Sequence, residues 1–376
     1  MAKKGYIEGF YGKLMKPKDR ELLLNTLSDL RMNFYVYGPK EDKFHRNNWE
    51  DLYPDLILQE LSTLKSFASE KGIRFYMALS PNIGMDRTRG LKLKKLEMKI
   101  SQFLDVGVED FAIFFDDIDN ERDKKLAENH LEILELVESL VQPKKDSLMF
   151  CPTVYCNNFA NYSFKDSYYL QTLSKGDLSN WIMLWTGQEV ISKSISDSDI
   201  KPLKDLFKNK IYIWDNYYAN DYCPSKVFLG SYKGRKKLTS IDGIGLNPTG
   251  FPNIDSFILN RFNNLSNKEI LEKFEVPKDF KKILPFFEGP FETPIKFSLK
   301  DLKETRKITS QLVLDWKSDL QVELAPYLWN LTIDLSLLIK IKENKSKLND
   351  YKKVKEWISR RYPVVLAEII RDIDRW

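Results

Sequence analysis

A short apolar segment, a polar loop and an amphipathic helix follow one another eight times in the first 260 or so residues. The apolar segments, each predicted to be a strand, are residues 6–10, 33–37, 74–79, 110–115, 148–151, 181–185, 210–213 and 241–246. Strands that alternate with helices form parallel sheets. The count and the length match a TIM (β/α)8 barrel, in which active sites lie at the C-terminal ends of the strands. We therefore predict an α/β fold of this type.

A doubly wound parallel sheet is the alternative fold for the same alternation. Such sheets often carry a glycine-rich phosphate loop between the first strand and the first helix. The segment Gly9-Phe10-Tyr11-Gly12 lacks that spacing and is not followed promptly by a helix. The barrel is therefore favoured.

The last quarter of the chain has a different pattern. Residues 285–294 contain three prolines and a glycine and cannot form one regular element. Beyond them the sequence predicts helices over 302–316, 320–342 and 351–374, with a capping box at Ser298 and Asp301 and a kink or break at Pro326. We predict a barrel domain (1–270), a connection (271–297) and a helical bundle domain (298–376). The central helix is apolar enough to pack within a bundle or to form a homodimer interface.

Composition excludes several classes of protein. A net charge of +5, from 59 basic and 54 acidic residues, does not require nucleic acid or an anionic membrane as partner. The basic tract 233–237 is expected to be a solvated loop. Neither a signal segment nor a run of transmembrane length is expected, which indicates a cytoplasmic protein. Cys151, Cys156 and Cys223 fit no disulfide framework and two histidines no zinc site, so we expect free thiols, no metal and no cofactor.

The fourth predicted strand ends in three carboxylates, Asp116, Asp117 and Asp119. Burying carboxylates is costly, so this strand end is expected to open on a site in which desolvation and mutual repulsion raise and separate their pKa values. Alternation along a strand favours Asp117 with Asp119 as an acid/base pair. Two other interpretations are that Asp119 caps the next helix, and that the cluster binds Mg²⁺ in a metal-dependent hydrolase.

Other strand ends supply amides, hydroxyls, rings and a further carboxylate. Hydrogen-bonding side chains and stacking rings of this kind bind polyhydroxylated ligands. The residues predicted to converge on one pocket are Gly9, Tyr11, Lys40, Asp116, Asp117, Tyr155, Thr186, Trp214, Asn216, Asp221 and Asn247.

These segments together resemble glycoside hydrolase family 84, the β-N-acetylglucosaminidases that include O-GlcNAcases and hyaluronidase-like enzymes. The resemblance spans residues 6–263 and rests on residues 8–12 (EGFYG), 37–42 (YGPKED), 115–119 (FDDID), 151–156 (CPTVYC), 184–187 (LWTG), 214–222 (WDNYYANDY) and 246–248 (LNP). It implies a retaining exo-glycosidase that uses the substrate's acetamido oxygen as nucleophile and proceeds through an oxazoline.

The resemblance also implies roles for single residues. Asp117 would be the general acid and then the base, and Asp116 would accept a hydrogen bond from the acetamido N–H. Tyr155 would support the acetamido oxygen. Sugar contacts would come from Gly9, Lys40, Asp221 and Asn247, and the acetamido pocket from Trp214 and Asn216.

Three residues depart from the family pattern: Val154 stands where animal members have an acid, Gly38 replaces alanine and Tyr218 replaces histidine. The substrate bearing the N-acetylglucosamine stays open between a glycoprotein, a glycan and a small glycoside. A non-catalytic sugar-binding or scaffold protein is the alternative function, and it would be expected to have a broken acid pair.

Overall fold

A computed structural model describes residues 2–83, 87–118, 122–235, 238–291 and 297–343. Eight strands in this part of the chain form a closed parallel barrel in which each strand pairs with the next and the last pairs with the first. They are β1 (Lys3–Glu8), β2 (Phe34–Tyr37), β3 (Arg74–Leu79), β4 (Phe111–Phe114), β5 (Leu148–Cys151), β6 (Trp181–Trp185), β7 (Lys210–Asp215) and β8 (Gly243–Leu246). The predicted TIM barrel is confirmed, and closure excludes the doubly wound sheet.

The strands are apolar because both faces of a parallel barrel are covered. Every residue of β4, β5 and β6 is buried. Alternate residues face the interior, among them Ile7, Ala78 and Ala112. In β8 the interior positions are glycines, because a Cβ at Gly243 would lie only 2.6 Å from the ring of Tyr212.

Among the described residues, α-helices follow β1 to β6: α1 (Pro17–Asp29), α2 (Asp55–Glu70), α3 (Arg89–Asp105), α4 (Lys124–Val141), α5 (Tyr168–Leu173) and α6 (Asp197–Leu206). Arg20 of α1 donates to both carboxylate oxygens of Glu8 at 2.9 and 2.7 Å, and Tyr35 donates to the same carboxylate. The Glu8 carboxylate therefore anchors α1, although Glu8 belongs to the segment 8–12 on which the family resemblance rests.

One predicted crossover is wrong. Between β7 and β8 the described residues, 216–235 and 238–242, contain no helix. Residues 217–232 belong to the second of two compact units instead. The dense polar and aromatic sequence of this segment has no helical period that would bury one face.

The chain divides into Met1–Asn216 with Lys233–Gly250, and Tyr217–Tyr232 with Phe251–Trp376. The second unit contains α7 (Pro252–Phe262), α8 (Asn267–Lys273), α9 (Phe280–Ile283), a 3-10 turn (Leu284–Phe287), α10 (Leu299–Asp315) and α11 (Asp319–Glu343). The predicted boundaries at 270 and 297 stay predictions, and the predicted helix 351–374 lies outside the described residues.

Side chains cap the starts of α10 and α7 in the second unit. Ser298 and Asp301 form the predicted capping box of α10. Glu323 of α11 accepts hydrogen bonds from the backbone N–H groups of Asn253 and Ile254, both at 2.9 Å, at the start of α7. Helix α11 is continuous across Pro326, so the predicted break does not occur.

Helix α11 also corrects the expectation that no run has transmembrane length. Among the described residues, Asp319–Lys340 is long and apolar enough to cross a bilayer by length and composition alone. Half of its most apolar window is buried inside the protein, as in a core helix.

Candidate active site

The chain leaves strand geometry just before the two adjacent carboxylates. β4 ends at Phe114, and Asp117 has a φ of +52°, in the left-handed region. Neighbours in a continuous strand would point to opposite faces. Because the backbone departs from strand geometry here, both carboxylates interact with Lys40. An acid pair made of two adjacent residues requires such a departure.

Asp116 is buried and only partly satisfied. Its Oδ2 accepts a charge-assisted hydrogen bond from the Nζ of Lys40, whose side chain is 1% exposed. Its Oδ1 is buried without a hydrogen-bond partner among the described residues. A buried carboxylate oxygen in this condition is costly, and its acceptor capacity suits a ligand N–H or O–H.

Asp117 lies at the surface of the same site and accepts two hydroxyl hydrogen bonds. Tyr155 donates to Oδ1 at 2.9 Å and Tyr11 donates to Oδ2 at 2.7 Å. Burial raises the pKa of this carboxyl, but the Lys40 ammonium and the two hydroxyls lower it by more. The pKa of Asp117 is therefore below that of an ordinary aspartate, and the predicted upward shift is wrong for this residue because cations and donors from other loops outweigh burial.

Arg46, in the loop between β2 and α2, completes the surroundings of Asp117. It donates to the Tyr11 hydroxyl oxygen at 2.5 Å and to the backbone carbonyl of Asp117 at 3.2 Å. No sequence motif pointed to Arg46. The only signal available was its position in a loop that follows a strand end.

The indole ring of Trp214 lies near the pair of Lys40 and Asp116. The ring of Trp214 packs on Phe114 with centroids 4.9 Å apart. Any Cβ at Gly9 would overlap the Trp214 ring, so only glycine fits there. The Lys40 ammonium lies 5.8 Å from the centroid of the Trp214 ring, which places the indole beside the Lys40–Asp116 pair.

Two asparagines link Gly9 to this indole. The Gly9 N–H donates to Asn247 Oδ1 at 3.1 Å, and Asn247 Nδ2 donates to Asn216 Oδ1 at 2.9 Å. Trp214 Nε1 donates to the same Oδ1 at 3.0 Å, and Asn216 Nδ2 donates to the Val190 carbonyl at 2.8 Å. The predicted residues Gly9, Trp214, Asn216 and Asn247 therefore form one hydrogen-bonded wall.

The expected solvated loop at 233–237 is wrong at Arg235, whose side chain is 3% exposed. Its guanidinium donates to both carboxylate oxygens of the buried Asp215 at 2.8 Å and to the Ser192 carbonyl at 2.7 Å. The buried carboxylate at the end of β7 is the reason, since it requires a cationic partner. Residues 236–237 lie outside the described residues.

Two other predicted residues, Asp221 and Thr186, form hydrogen bonds with neighbours along the chain, and their site roles stay predictions. Asp221 belongs to the second unit, where its carboxylate accepts the N–H of Tyr222 at 2.9 Å. Thr186 donates to the carbonyl of Glu189 at 2.7 Å. Asp119 lies outside the described residues, so neither its capping role nor its pairing with Asp117 is tested.

Metal and thiol chemistry have little support at this site. In the described parts of the chain, no group of three or more His, Cys, Asp and Glu side chains could hold a metal ion. The Lys40 ammonium already lies against Asp116, where a cation would bind. The three cysteines are buried free thiols, as predicted.

Sequence comparison with known proteins relates this chain to glycosidases. Residues 4–289 match the family model for β-N-acetylglucosaminidase. The chain is 35% identical over 254 residues to the protein O-GlcNAcase of Rattus norvegicus and 34% to that of Mus musculus. The match covers 65% of this chain and 28% of each relative, so this chain spans little more than a quarter of their length.

Solved structures show the same fold. An O-GlcNAc hydrolase mutant of Thermobaculum terrenum superposes with a TM-score of 0.78 at 23% identity, covering 98% of this chain and 92% of that one. CpGH84B superposes with a TM-score of 0.74 at 20% identity, covering 99% and 76%.

Proposed function

Because this chain belongs to the β-N-acetylglucosaminidase family, we propose that it removes terminal β-linked N-acetylglucosamine with net retention, using the substrate's acetamido oxygen as nucleophile. One observation carries the mechanism. The buried Oδ1 of Asp116 has no hydrogen-bond partner among the described residues, whereas the carboxylate of Asp117 accepts hydrogen bonds from two tyrosine hydroxyls. The two adjacent acids therefore offer different chemistry.

Asp116 is proposed to aim the nucleophile. Its Oδ1 would accept the acetamido N–H, while Lys40 holds Oδ2 in place. As an anion beside the amide, Asp116 would stabilise the positive charge that develops as the oxazolinium ring forms. Tyr155 would donate to the acetamido carbonyl oxygen and hold it under the anomeric carbon.

Asp117 is proposed to move the proton. It would protonate the glycosidic oxygen as the oxazoline forms and then deprotonate the water that opens it. Its low pKa in the free protein means that the carboxylate predominates at neutral pH. Substrate binding must raise the pKa of Asp117, because bound sugar excludes water from the carboxyl group.

The wall of Gly9, Trp214, Asn216 and Asn247 is proposed to form the acetamido pocket and one side of the sugar site. Its polar atoms bond to each other in the free protein, so the wall is preorganised. Lys40 is proposed to contact sugar hydroxyls, and the sugar contact of Asp221 stays a prediction.

The test is hydrolysis of an aryl β-N-acetylglucosaminide compared with the matching β-glucoside, which lacks the acetamide. We expect activity on the first substrate alone, and inhibition by a thiazoline analogue of the oxazoline. Equal rates on both substrates would exclude participation of the acetamide. Loss of activity on chelation would instead support the metal-dependent alternative, and sugar binding without turnover would support a scaffold.

The names of the rodent relatives suggest a glycoprotein as substrate. We propose that O-GlcNAc on proteins is one substrate, with a glycan and a small glycoside as the other candidates. Release of N-acetylglucosamine from an O-GlcNAc peptide and from chitobiose, compared at equal concentration, separates the first two.

We also propose a cytoplasmic location and a homodimer formed through the helical region. Three free, buried thiols suit a reducing compartment. Val322, Trp329 and Ile333 are exposed on one face of α11, and Trp329 is 51% exposed. Light scattering after size exclusion tests the dimer, and activity in the membrane fraction of lysed cells would contradict the location.

A further inference from the structure

Arg46 makes contacts that the proposed mechanism does not use. Its guanidinium is half-buried and lies over the Tyr11 ring, 5.4 Å from the centroid. One nitrogen donates to the Tyr11 oxygen at 2.5 Å and the other to the Asp117 carbonyl at 3.2 Å. It therefore contacts the acid residue twice, once directly and once through Tyr11.

The direction of these hydrogen bonds follows from what each group can do. A guanidinium only donates, and a phenol has one proton. Since Arg46 donates to the Tyr11 oxygen, the Tyr11 proton is directed to Asp117 Oδ2, 2.7 Å away. A hydroxyl without that donor could turn and accept a proton from Oδ2 instead.

We propose that Arg46 is a positioning residue that, through Tyr11, keeps Oδ2 of Asp117 as an acceptor and leaves Oδ1 as the oxygen that carries the catalytic proton. This inference rests on the proposed role of Asp117 as the acid. Oδ1 is the oxygen that Tyr155 contacts in the free protein.

Tyr155 then links substrate binding to proton transfer. In the proposed mechanism its hydroxyl moves its hydrogen bond from Asp117 Oδ1 to the acetamido carbonyl oxygen. Oδ1 loses a donor that favours the carboxylate and becomes free to hold a proton. The acid is thus prepared only when an acetamido group is bound.

The charges around Asp117 support this assignment. Two cations and two hydroxyl donors favour the carboxylate, and one neighbouring carboxylate opposes it. The facing groups are Lys40 and Arg46, Tyr11 and Tyr155, and Asp116. Arg46 is the cation among them that also fixes the orientation of a hydroxyl.

The experiment compares Arg46→Met and Arg46→Lys on two aryl β-N-acetylglucosaminides, one with a good and one with a poor leaving group. Only the substrate with the poor leaving group needs the proton. We therefore expect Arg46→Met to lower kcat/KM for that substrate about tenfold, and to change kcat/KM for the other substrate by less than about threefold. Arg46→Lys keeps a donor for Tyr11 and should recover much of the loss. Arg306→Met, on an exposed face of α10, is the matched control.

If Arg46 has a purely structural role, Arg46→Met lowers kcat/KM equally for both substrates and Arg46→Lys does not restore it. That result would overturn the inference. Carboxyl NMR of Asp117 in the free protein gives a second readout that does not require turnover. We expect its pKa to rise in Arg46→Met, because a cation and an ordered donor are lost. If the wild-type protein hydrolyses neither substrate, the proposed function fails, whereas this titration still decides the role of Arg46. An unchanged pKa then overturns it.

Discussion

At Asp117 the protein holds one carboxylate between two tyrosine hydroxyls, beside a second carboxylate paired with Lys40. The different partners imply different responses to mutation. We expect Asp117→Ala to lower kcat/KM by about 10²- to 10⁴-fold for aryl glycosides with poor leaving groups and far less for good ones. Asp116→Asn should lower kcat/KM for both kinds of substrate, because every substrate needs its acetamido nucleophile to be oriented. Steady-state rates across a leaving-group series provide the measurement, and equal losses in Asp117→Ala would refute its role as acid.

Gly38 gives a second prediction at the scale of one residue. A Cβ there would lie 2.7 Å from the Phe114 ring and 2.9 Å from the Cβ of Ala78. Phe114 and Ala78 therefore occupy the space that a methyl group at this position would need. We expect Gly38→Ala to cost about 1–3 kcal/mol through overpacking and, by shifting Phe114 against Trp214, to weaken substrate binding. Urea unfolding and KM test this, with Gly90→Ala, where the Cβ meets nothing within 4 Å, as control.

At the scale of elements, the buried Arg235 links the end of β7 to the loop after β6. Arg235 bonds Asp215 and also the Ser192 carbonyl, two residues from the Val190 carbonyl that accepts from Asn216. The Arg235–Asp215 pair therefore stabilises the loop whose Val190 carbonyl accepts a hydrogen bond from the wall of the proposed sugar site.

We expect Arg235→Met to destabilise the protein by about 3–5 kcal/mol, because the buried Asp215 carboxylate loses both guanidinium hydrogen bonds. Urea unfolding measures this, with the exposed Arg306→Met as control. Arg235→Lys keeps the charge but cannot bond both oxygens in a fork, so an intermediate loss is expected. A variant as stable as the wild type would show that the pair adds nothing to stability.

At the scale of the whole molecule, the chain has two histidines and both are buried. Burial lowers the pKa of His45 and of His130 to about 3. In the unfolded chain each would titrate near about 6.5. Below that pH the unfolded state binds protons that the folded state does not, so stability is lost as the pH falls.

Each histidine should contribute a slope of about 1.4 kcal/mol per pH unit below pH ~6.5. We expect the free energy of unfolding to decrease from pH 7.5 to 5.5, before most carboxylates titrate, and His130→Gln to remove about half of the slope. His130 stacks on Phe115 and bonds Tyr169, so its substitution also lowers stability at all pH values. Urea titrations at several pH values give the slope, and a flat profile would contradict the assignment.

The sequence by itself determined the barrel, because strand and helix periods are local and eight parallel strands, most of them followed by a helix, have few ways to close. It also located the strand ends, and ten of the eleven residues predicted to line one pocket, all except Asp221, lie in the unit that contains the barrel. It could not determine partners that are distant along the chain. Arg46 is 71 residues from Asp117, and no pattern of sequence joins them.

Only the tertiary structure decided how the two acids differ. Burial alone predicts raised pKa values, yet Lys40 and two hydroxyls from other loops lower that of Asp117. The left-handed backbone at Asp117, and the burial of an Asp116 Oδ1 that no described residue bonds, likewise depend on packing around the barrel mouth. Electrostatics acts through space over a few ångströms, whereas sequence patterns record only neighbours along the chain.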